Sequence, residues 1–369
     1  MAKQSRHIVD AALATAQERG LFGPESACLL MVSGGSDSTA LAYAMREVQD
    51  AGQVGPVAML HVNHKLRGQD AEDDAEFCRQ LAEALTFPFF CCEVDVAAEA
   101  ALAHENVEAQ GRRERYAAAR EALDSLCMHE AVPLAEGRIV TAHTADDRVE
   151  NFYMRSIVGT GPGGFRSMLY KNGNVVRPLL DCTRAELRTF VRDLAEAGAP
   201  QVVRDGGRQL WREDATNAHT DRFRAYVRQN IVPKARDWDV KSTENLIRSM
   251  NLIADEDDML DALAEDALAR DAVPVDADAP EAGCVLQPAF ATLARPIQRR
   301  CIHKVLKGML GAEERISAVS VERVLEAFAG GAPVSGHVDN IQGNIAVSAN
   351  KLGVRVEPMA AFRARRKRA

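Results

Sequence analysis

The sequence predicts an α/β fold, a doubly wound parallel sheet, followed by a helical second domain and a small C-terminal β appendage. Three observations carry this. Apolar runs at 27–32, 57–62, 87–96 and 139–142 alternate with helix-period segments at 39–50, 71–85, 107–128 and 147–157. Such runs imply strands buried on both faces, and strand–helix alternation implies parallel pairing with helices on either side. Next, Leu246, Ile247, Met250, Ile253, Met259, Leu260 and Leu263 recur at helical spacing and can share one broad face. Last, residues 331–358 carry Val/Ile-rich patches punctuated by glycine, as short strands do. A chain of 369 residues exceeds what one core holds, and the expected division is 1–236, 237–330 and 331–369.

Later elements have their own signals. Arg177-Pro178-Leu179-Leu180 reads as a short strand. Thr183-Arg184-Ala185-Glu186 then opens a helix, with Thr183 as N-cap and Glu186 completing a capping box. A helix near Arg222 should stop before Pro233.

Composition excludes several classes. A hydrophobic content of 47% with 27% charged residues is that of a folded chain, not a disordered one. No apolar run approaches the roughly 18 residues of a membrane span, and Asp10 interrupts the run after Ile8 and Val9, so neither membrane nor leader is expected. Eight cysteines without a C-x-x-C pair disfavour zinc ribbons and cysteine-held clusters. Most sit inside apolar segments and read as buried free thiols of a reducing, cytoplasmic setting. The net charge is -8, but residues 237–281 hold fourteen acidic and three basic residues, or -11, which leaves +3 elsewhere. The acidic block reads as a solvated helix face. Eight basic residues against four acidic lie between 204 and 236. The tail Arg363, Arg365, Arg366, Lys367, Arg368 is basic throughout, a solvated terminus or an RNA contact.

The chemistry centres on Ser33-Gly34-Gly35-Ser36-Asp37-Ser38, which follows a strand pattern and precedes a helix. Glycines bring backbone N–H groups close to a ligand, the helix N-terminus adds unpaired donors, and the serine hydroxyls add more. The product is a pyrophosphate pocket. A carboxylate there is repulsive unless a divalent cation intervenes, so Asp37 is expected to hold Mg²⁺ through phosphate oxygens. No Walker-type G-x-x-x-x-G-K-[ST] occurs. Gly159-Thr160-Gly161-Pro162-Gly163-Gly164 fits G-x-G-x-x-G in letters but follows a helix and contains proline, so it reads as a helix-ending turn. His61, His64, His143, Asp146 and Asp147 lack the spacing of a zinc hydrolase.

The Ser/Gly loop resembles the PP-loop of ATP pyrophosphatases, and further blocks resemble those of the tRNA(Ile)-lysidine synthetase family. These are His61-Val62-Asn63-His64-Lys65-Leu66-Arg67-Gly68, Asn106-Val107-Glu108-Ala109-Gln110-Gly111-Arg112-Arg113-Glu114-Arg115-Tyr116, Thr141-Ala142-His143-Thr144-Ala145-Asp146-Asp147-Arg148-Val149-Glu150 and Trp211-Arg212-Glu213-Asp214-Ala215-Thr216-Asn217. Arg224, Arg228 and Pro233 fall at family spacing. Ala225 stands where the family usually has Asn, Val158 where Arg is common, Thr144 where a second His is common, and Gly111 where Ala is usual. In mid-helix Gly111 costs about 0.5–1 kcal/mol.

The resemblance implies a PP-loop, adenine nucleotide alpha hydrolase-like and Rossmann-like domain that uses ATP and Mg²⁺. The implied reaction adenylates O2 of the wobble cytidine of tRNA(Ile) with a CAU anticodon. L-lysine then attacks C2, AMP leaves, and lysidine reads AUA instead of AUG. It implies ATP binding by Ser33, Gly34, Gly35, Ser36, Asp37, Ser38, His61 and Asn63, and it suggests a homodimer. At pH 7.4 roughly one lysine in a thousand is neutral, a handicap of about 4 kcal/mol. A base or desolvating pocket is therefore required. Asp146, Asp147 or Glu150 would orient the ammonium or accept its proton, and His143 would contact base or phosphate. Lys65, Arg67, Arg112, Arg115, Tyr116, Arg224 and Arg228 would contact tRNA, with Tyr116 offering a stacking face to the unstacked base. The competing readings are a PP-loop tRNA thiolase and a non-catalytic tRNA-binding relative.

Overall fold

The computed structural model describes residues 5–65, 68–96, 99, 107–204, 207–212, 222–311 and 314–368. Arg67, Leu66, Asn106 and the Glu213 to Asn217 block lie outside them. Two compact units emerge, Met1–Ile253 and Ala254–Ala369.

In the first unit, β1 (Ala27–Met31), β2 (Val57–Asn63), β3 (Phe89–Glu93), β4 (Gly137–Thr141), β5 (Lys171–Asn172) and β6 (Val175–Val176) form a sheet ordered β3-β2-β1-β4-β6-β5. All neighbours are parallel except the edge pair β5–β6. The two-residue period of a strand divides its side chains between two cores. Cys28, Leu30, Val32, Val57, Met59 and Val140 pack with residues of α1 (Ser5–Arg19), α2 (Ser36–Asp50) and α3 (Gln69–Ala84). Ala27, Leu29, Ala58, Leu60 and Ile139 instead face Ala119, Leu123 and Leu126 of α4 (Val107–His129). The doubly wound expectation is met, because strands apolar on both faces need a helical layer on each.

Strand order reverses at β1, which has β2 on one side and β4 on the other. Carboxyl ends of strands at such a switch open a crevice where ligands bind. The segment after β1 leads into α2, and the segment after β4 into α5 (Ala145–Val158). Thr144 caps α5 in a reciprocal box with Asp147, and Thr183 caps α6 (Arg184–Glu196) with Glu186, as its sequence predicts.

Two expected elements differ. The strand lies at Val175–Val176, and 178–181 is a turn; Pro178 has no N–H to give a ladder. The chain also stays helical past Pro233, through α7 (Arg222–Tyr226), a π-helical turn at Val227–Ile231 and α8 (Val232–Trp238). Pro233 falls in the first turn of α8, where a missing N–H costs nothing. A small hairpin, β7 (Val202–Arg204) with β8 (Gly207–Gln209), precedes these. The G-x-G-x-x-G stretch ends α5, with Gly159 at φ +89°.

The long acidic helix α9 (Ser242–Asp271) is present, and its expected apolar face holds at Leu246, Ile247 and Met250 but not further along. Met250 is buried, whereas Met259 is 58% and Leu263 47% exposed. Ala264 and Ala267 take the inward positions. Small residues there allow close approach of α10 (Arg295–Leu310), whose Cys301 thiol meets the Ala264 carbonyl at 3.4 Å. The carboxylates are not all solvated either. Asp257 is buried against Arg300, which also binds Asp261 at 2.7 Å, and Lys304 meets Glu265 at 2.9 Å.

Within the second unit, β9 (Ala272–Pro274), β10 (Cys284–Leu286), β13 (Val338–Ile341), β14 (Ile345–Asn350) and β15 (Gly353–Pro358) make an antiparallel sheet ordered β13-β14-β15-β10-β9, and β11 (Phe328–Ala329) pairs with β12 (Ala332–Pro333). Its core joins Leu286, Phe290, Leu306 of α10, Val324 of α11 (Ala318–Glu326), Ile345 and Val356. A boundary at 330 thus falls between strands of one sheet. The basic tail forms α12 (Met359–Arg368), with Met359 and Phe362 buried beside Ala346. Among the described residues no helix is long and apolar enough to cross a membrane.

Candidate active site

The Ser/Gly loop leaves β1 at the switch point. Gly34 has φ +84°, a conformation that favours glycine, and a Cβ there would also press on Phe77 at 3.3 Å. The Arg212 N–H donates to the Gly34 carbonyl at 2.8 Å. Ser38 Oγ accepts from the Ser33 N–H at 3.2 Å and donates to the Gly35 carbonyl at 3.1 Å, closing the loop on itself. Gly35 caps α2 without any side-chain hydrogen bond to the first turn. Those N–H groups thus face outward over a helix dipole, a ready anion cradle.

Opposite the loop lies a cluster of carboxylates and arginines. Arg184, at the first position of α6, donates to Asp37 Oδ2 at 3.0 Å and Asp147 Oδ1 at 3.2 Å, and lies 3.7 Å from Glu150. Its backbone N–H donates to Asp146 at 2.7 Å. Arg228 grips both oxygens of Glu150 at 2.7 and 3.1 Å, and Arg224 donates to it at 3.1 Å. Arg236 binds Asp146 at 2.8 Å, and Arg188 donates to Ser36 Oγ at 3.2 Å. Glu150 is buried, with 3% of its side chain exposed, and removing one partner of such a pair leaves a charge uncompensated.

The electrostatics follow. Burial pushes the Asp37 carboxyl up, and Arg184 only partly opposes it. Burial also pushes Asp147 up, but Arg184, His143, the Thr144 N–H and Arg224 outweigh it, so Asp147 stays below the usual carboxylate range. Between these acids the Arg184 guanidinium, itself opposed by burial, is held firmly protonated. His143 accepts or donates at Thr141 Oγ1, 2.9 Å away, and burial lowers its pKa to about 4, helped by Arg177, Arg224 and Arg112. It is neutral at physiological pH.

The other expected residues are distributed around this crevice. His61 is buried and bonded through Nδ1 to the Val32 carbonyl at 2.9 Å, which braces the strand end that launches the loop. Buried Asn63 donates to Glu72 at 2.9 Å and accepts from the Lys65 N–H at 2.9 Å, so it shapes the following turn. Lys65 is exposed and paired with Glu93 at 2.6 Å. Arg112 and Arg115 are exposed on α4; Arg112 stacks on Tyr116 at 5.2 Å, and Arg115 reaches His64 at 3.2 Å. Arg224 and Arg228 are half-buried and turned to Glu150. Val158 is 65% exposed at the end of α5.

Sequence reasoning missed Arg184, Arg188 and Arg236. Arg184 did carry a signal, because a cation at a helix N-terminus opposes the dipole and needs nearby acids. Fully buried Arg148 was missed as well. It binds Asp181 at 2.7 Å, Asn251 at 2.7 Å and the Tyr170 hydroxyl at 3.0 Å, which anchors the first turn of α5.

The donor set suits a hard cation held mostly by ligand oxygens. Asp37 is the single carboxylate of the α2 first turn, and among the described residues no three His, Cys, Asp or Glu side chains converge on a metal position. Mg²⁺ is commonly held by one or two carboxylates plus phosphates and water.

A parallel α/β sheet with an open Ser/Gly phosphate cradle at its switch point defines a protein of the nucleotide-binding class. The chain belongs to the PP-loop domain family, whose profile matches residues 6–235. It is similar to a tRNA(Ile)-lysidine synthase of Thermus thermophilus, 36% identical over 252 residues, covering 68% of this chain and 44% of that protein. A second, from Caldanaerobacter subterraneus subsp. tengcongensis, is 25% identical over 346 residues, covering 92% of this chain and 67% of that one. This chain thus spans about half to two thirds of these relatives' lengths. Among solved structures, a U34-tRNA thiolase from Methanococcus maripaludis with its [4Fe-4S] cluster shares the fold, with a TM-score of 0.50 at 14% identity over 68% of this chain and 80% of that one.

Proposed function

We propose that the protein is an ATP-dependent tRNA(Ile)-lysidine synthase that adenylates the wobble cytidine of tRNA(Ile) with a CAU anticodon and joins L-lysine to it, releasing AMP and pyrophosphate in the cytoplasm. The observation that carries this reading is the juxtaposition of a phosphate cradle with a buried acidic cluster across one crevice. A pyrophosphate-splitting step needs the first and an incoming ammonium needs the second. The similarity to proteins named tRNA(Ile)-lysidine synthase supports the same reading.

In this mechanism Gly34, Gly35 and the α2 N-terminus hold the phosphates, and Ser33, Ser36 and Ser38 add hydroxyls. Asp37 would hold Mg²⁺, which when bound would supply charge neutralisation for the departing pyrophosphate. His61 and Asn63 position the loop and its neighbouring turn rather than donating to nucleotide. His143, neutral and beside Asp147, contacts base or phosphate without adding charge. Among the three acids, Asp147 Oδ1 is best placed for the lysine amine. Asp146 is engaged by Arg236 and the Arg184 N–H, and Glu150 by Arg224 and Arg228, whereas the nearest arginine to Asp147 Oδ1 after Arg184 is Arg224 at 3.9 Å. Lys65, Arg112 and Arg115 form the exposed rim that tRNA would meet, with half-buried Tyr116 stacked against Arg112 and Arg67 two positions after Lys65 in sequence. Arg224 and Arg228 serve the acidic cluster first, and RNA only at their exposed edges.

The second unit adds a basic cavity of ≈ 290 Å³ lined by His337, Arg355, Phe362, Arg365 and Arg366, which supports RNA contact by the tail. A thiolase reading draws less support. Cys91 and Cys92 are adjacent on β3 and so point to opposite faces, a poor sulfur relay. The test is incubation with ¹⁴C-lysine, ATP and tRNA(Ile) bearing CAU. Label in RNA with matching AMP is expected; folded protein that leaves the RNA unlabelled rejects the proposal, and sulfur incorporation selects the thiolase.

A further inference from the structure

Asp37 has both oxygens engaged: Oδ1 accepts from the Ser36 hydroxyl at 3.0 Å and Oδ2 from Arg184 at 3.0 Å. The same guanidinium reaches across to Asp147 and Glu150, on the side assigned to the amine. Only 22% of the Arg184 side chain is exposed, so these charges meet with little water between them. Four carboxylates, Asp37, Asp146, Asp147 and Glu150, would otherwise repel one another across the crevice.

We propose that Arg184 is a resident counter-ion that closes the cation position at Asp37 until nucleotide arrives, when Asp37 exchanges the guanidinium for a divalent cation and Arg184 turns to the phosphates. This rests on the functional reading above and adds an order to it. The exchange keeps the crevice near neutrality throughout, because the arriving negative phosphates are met by both the cation and the released guanidinium. It also couples the two halves of the site. When Arg184 leaves, Glu150 keeps Arg228 on both oxygens and Thr144 keeps Asp147 Oδ2, so neither side chain collapses, and Asp147 Oδ1 is vacated for the amine. Divalent cation without nucleotide is then a poor ligand, and lysine binds after nucleotide. Arg184 acts here as a positioning residue whose release is the event; lysine in its place could not span three acids at once.

The test is a titration of Mn²⁺ into the full chain without nucleotide, with free Mn²⁺ read by electron paramagnetic resonance. Arg184→Gln is expected to bind Mn²⁺ about tenfold more tightly than the unaltered protein, since Asp37 is no longer claimed. Removing any cation beside these acids favours Mn²⁺ somewhat, so Arg236→Gln, which frees Asp146 and not Asp37, is titrated beside it; no tightening in folded Arg184→Gln, or equal tightening in both variants, overturns the proposal. If Arg184→Gln does not fold, Arg184→Lys decides, with about threefold tightening expected from the lost bridge and unchanged affinity overturning it. Lysidine formation by the unaltered protein is measured in parallel. Its absence counts against the functional reading alone, whereas its presence beside unchanged Mn²⁺ affinity removes only the counter-ion.

Discussion

The two walls of the crevice are built by opposite strategies. The loop wall takes its shape from neighbours: Ser33, Gly35 and Ser38 bond one another within six residues, and distant groups, the Arg212 N–H on the Gly34 carbonyl and Arg188 on the Ser36 hydroxyl, only add to it. The acidic wall is made by strangers: Glu150 on α5 depends on arginines 74 and 78 positions away, and Asp147 on one 37 away. Substitutions in the loop wall should therefore cost function with little stability, and those in the acidic wall should cost both.

The largest effect expected is on turnover. Asp37→Asn should slow AMP release from ATP by about 10²–10³-fold, the range seen when one well-aimed electrostatic group is lost. Because burial already disfavours the Asp37 charge, stability in urea and tRNA affinity should barely move. Unchanged turnover would sink the cation assignment, and a stability loss exceeding that of Glu150→Gln would break the contrast between the walls. Glu150→Gln should itself destabilise by about 2–3 kcal/mol, as Arg224 and Arg228 lose their charged acceptor; a denaturant midpoint within error of the parent would show that water replaces it.

A smaller effect concerns acid. Held at about 4 in the fold against an ordinary value of 6.5, His143 binds its proton more readily when unfolded. Stability then rises with pH across that window and falls as pH drops from 6.5 toward 4. His143→Gln should flatten that slope in pH-dependent melting; an unaltered slope would assign the loss elsewhere, with His64, similarly depressed by burial to about 4, the next suspect. The smallest effect lies outside both walls. Among the described residues, the nearest atoms to a Cβ on Gly111 of α4 are those of Val96 at 3.4 Å and 3.9 Å and His64 at 4.0 Å, ordinary contacts. Gly111→Ala should stabilise by about 0.4–1 kcal/mol with turnover unchanged, checked by thermal melting.

This asymmetry also explains how much was legible beforehand. The strand–loop–helix pattern and both capping boxes are local, so spacing alone predicts them, and the buried strands announce themselves by composition. The π-helical turn, the shifted apolar face of α9 and the shared sheet of the second unit depend on what packs against them. Ala264 and Ala267 look no more inward than Leu263 until α10 is laid beside them. In the site, Asp146, Asp147 and Glu150 were found by letters. Their arginines are not all legible, since charge pairing across dozens of residues leaves no period to read; the resemblance turns Arg224 and Arg228 outward, to RNA, whereas the structure turns them to Glu150.

The capping box of α5 has a consequence for what evolution can do at 147. Asp147 spends Oδ2 on the Thr144 N–H and hydroxyl, at 2.9 and 3.0 Å, and offers Oδ1 to Arg184. The carboxylate is thereby locked in azimuth, like a compass needle pinned at one end. Glutamate, one methylene longer, cannot serve the cap and the crevice from the same backbone position. Asparagine can mimic the cap with its oxygen but turns its amide toward the guanidinium. A four-residue capping motif usually regarded as scaffolding thus dictates the direction from which a positive charge can approach the crevice.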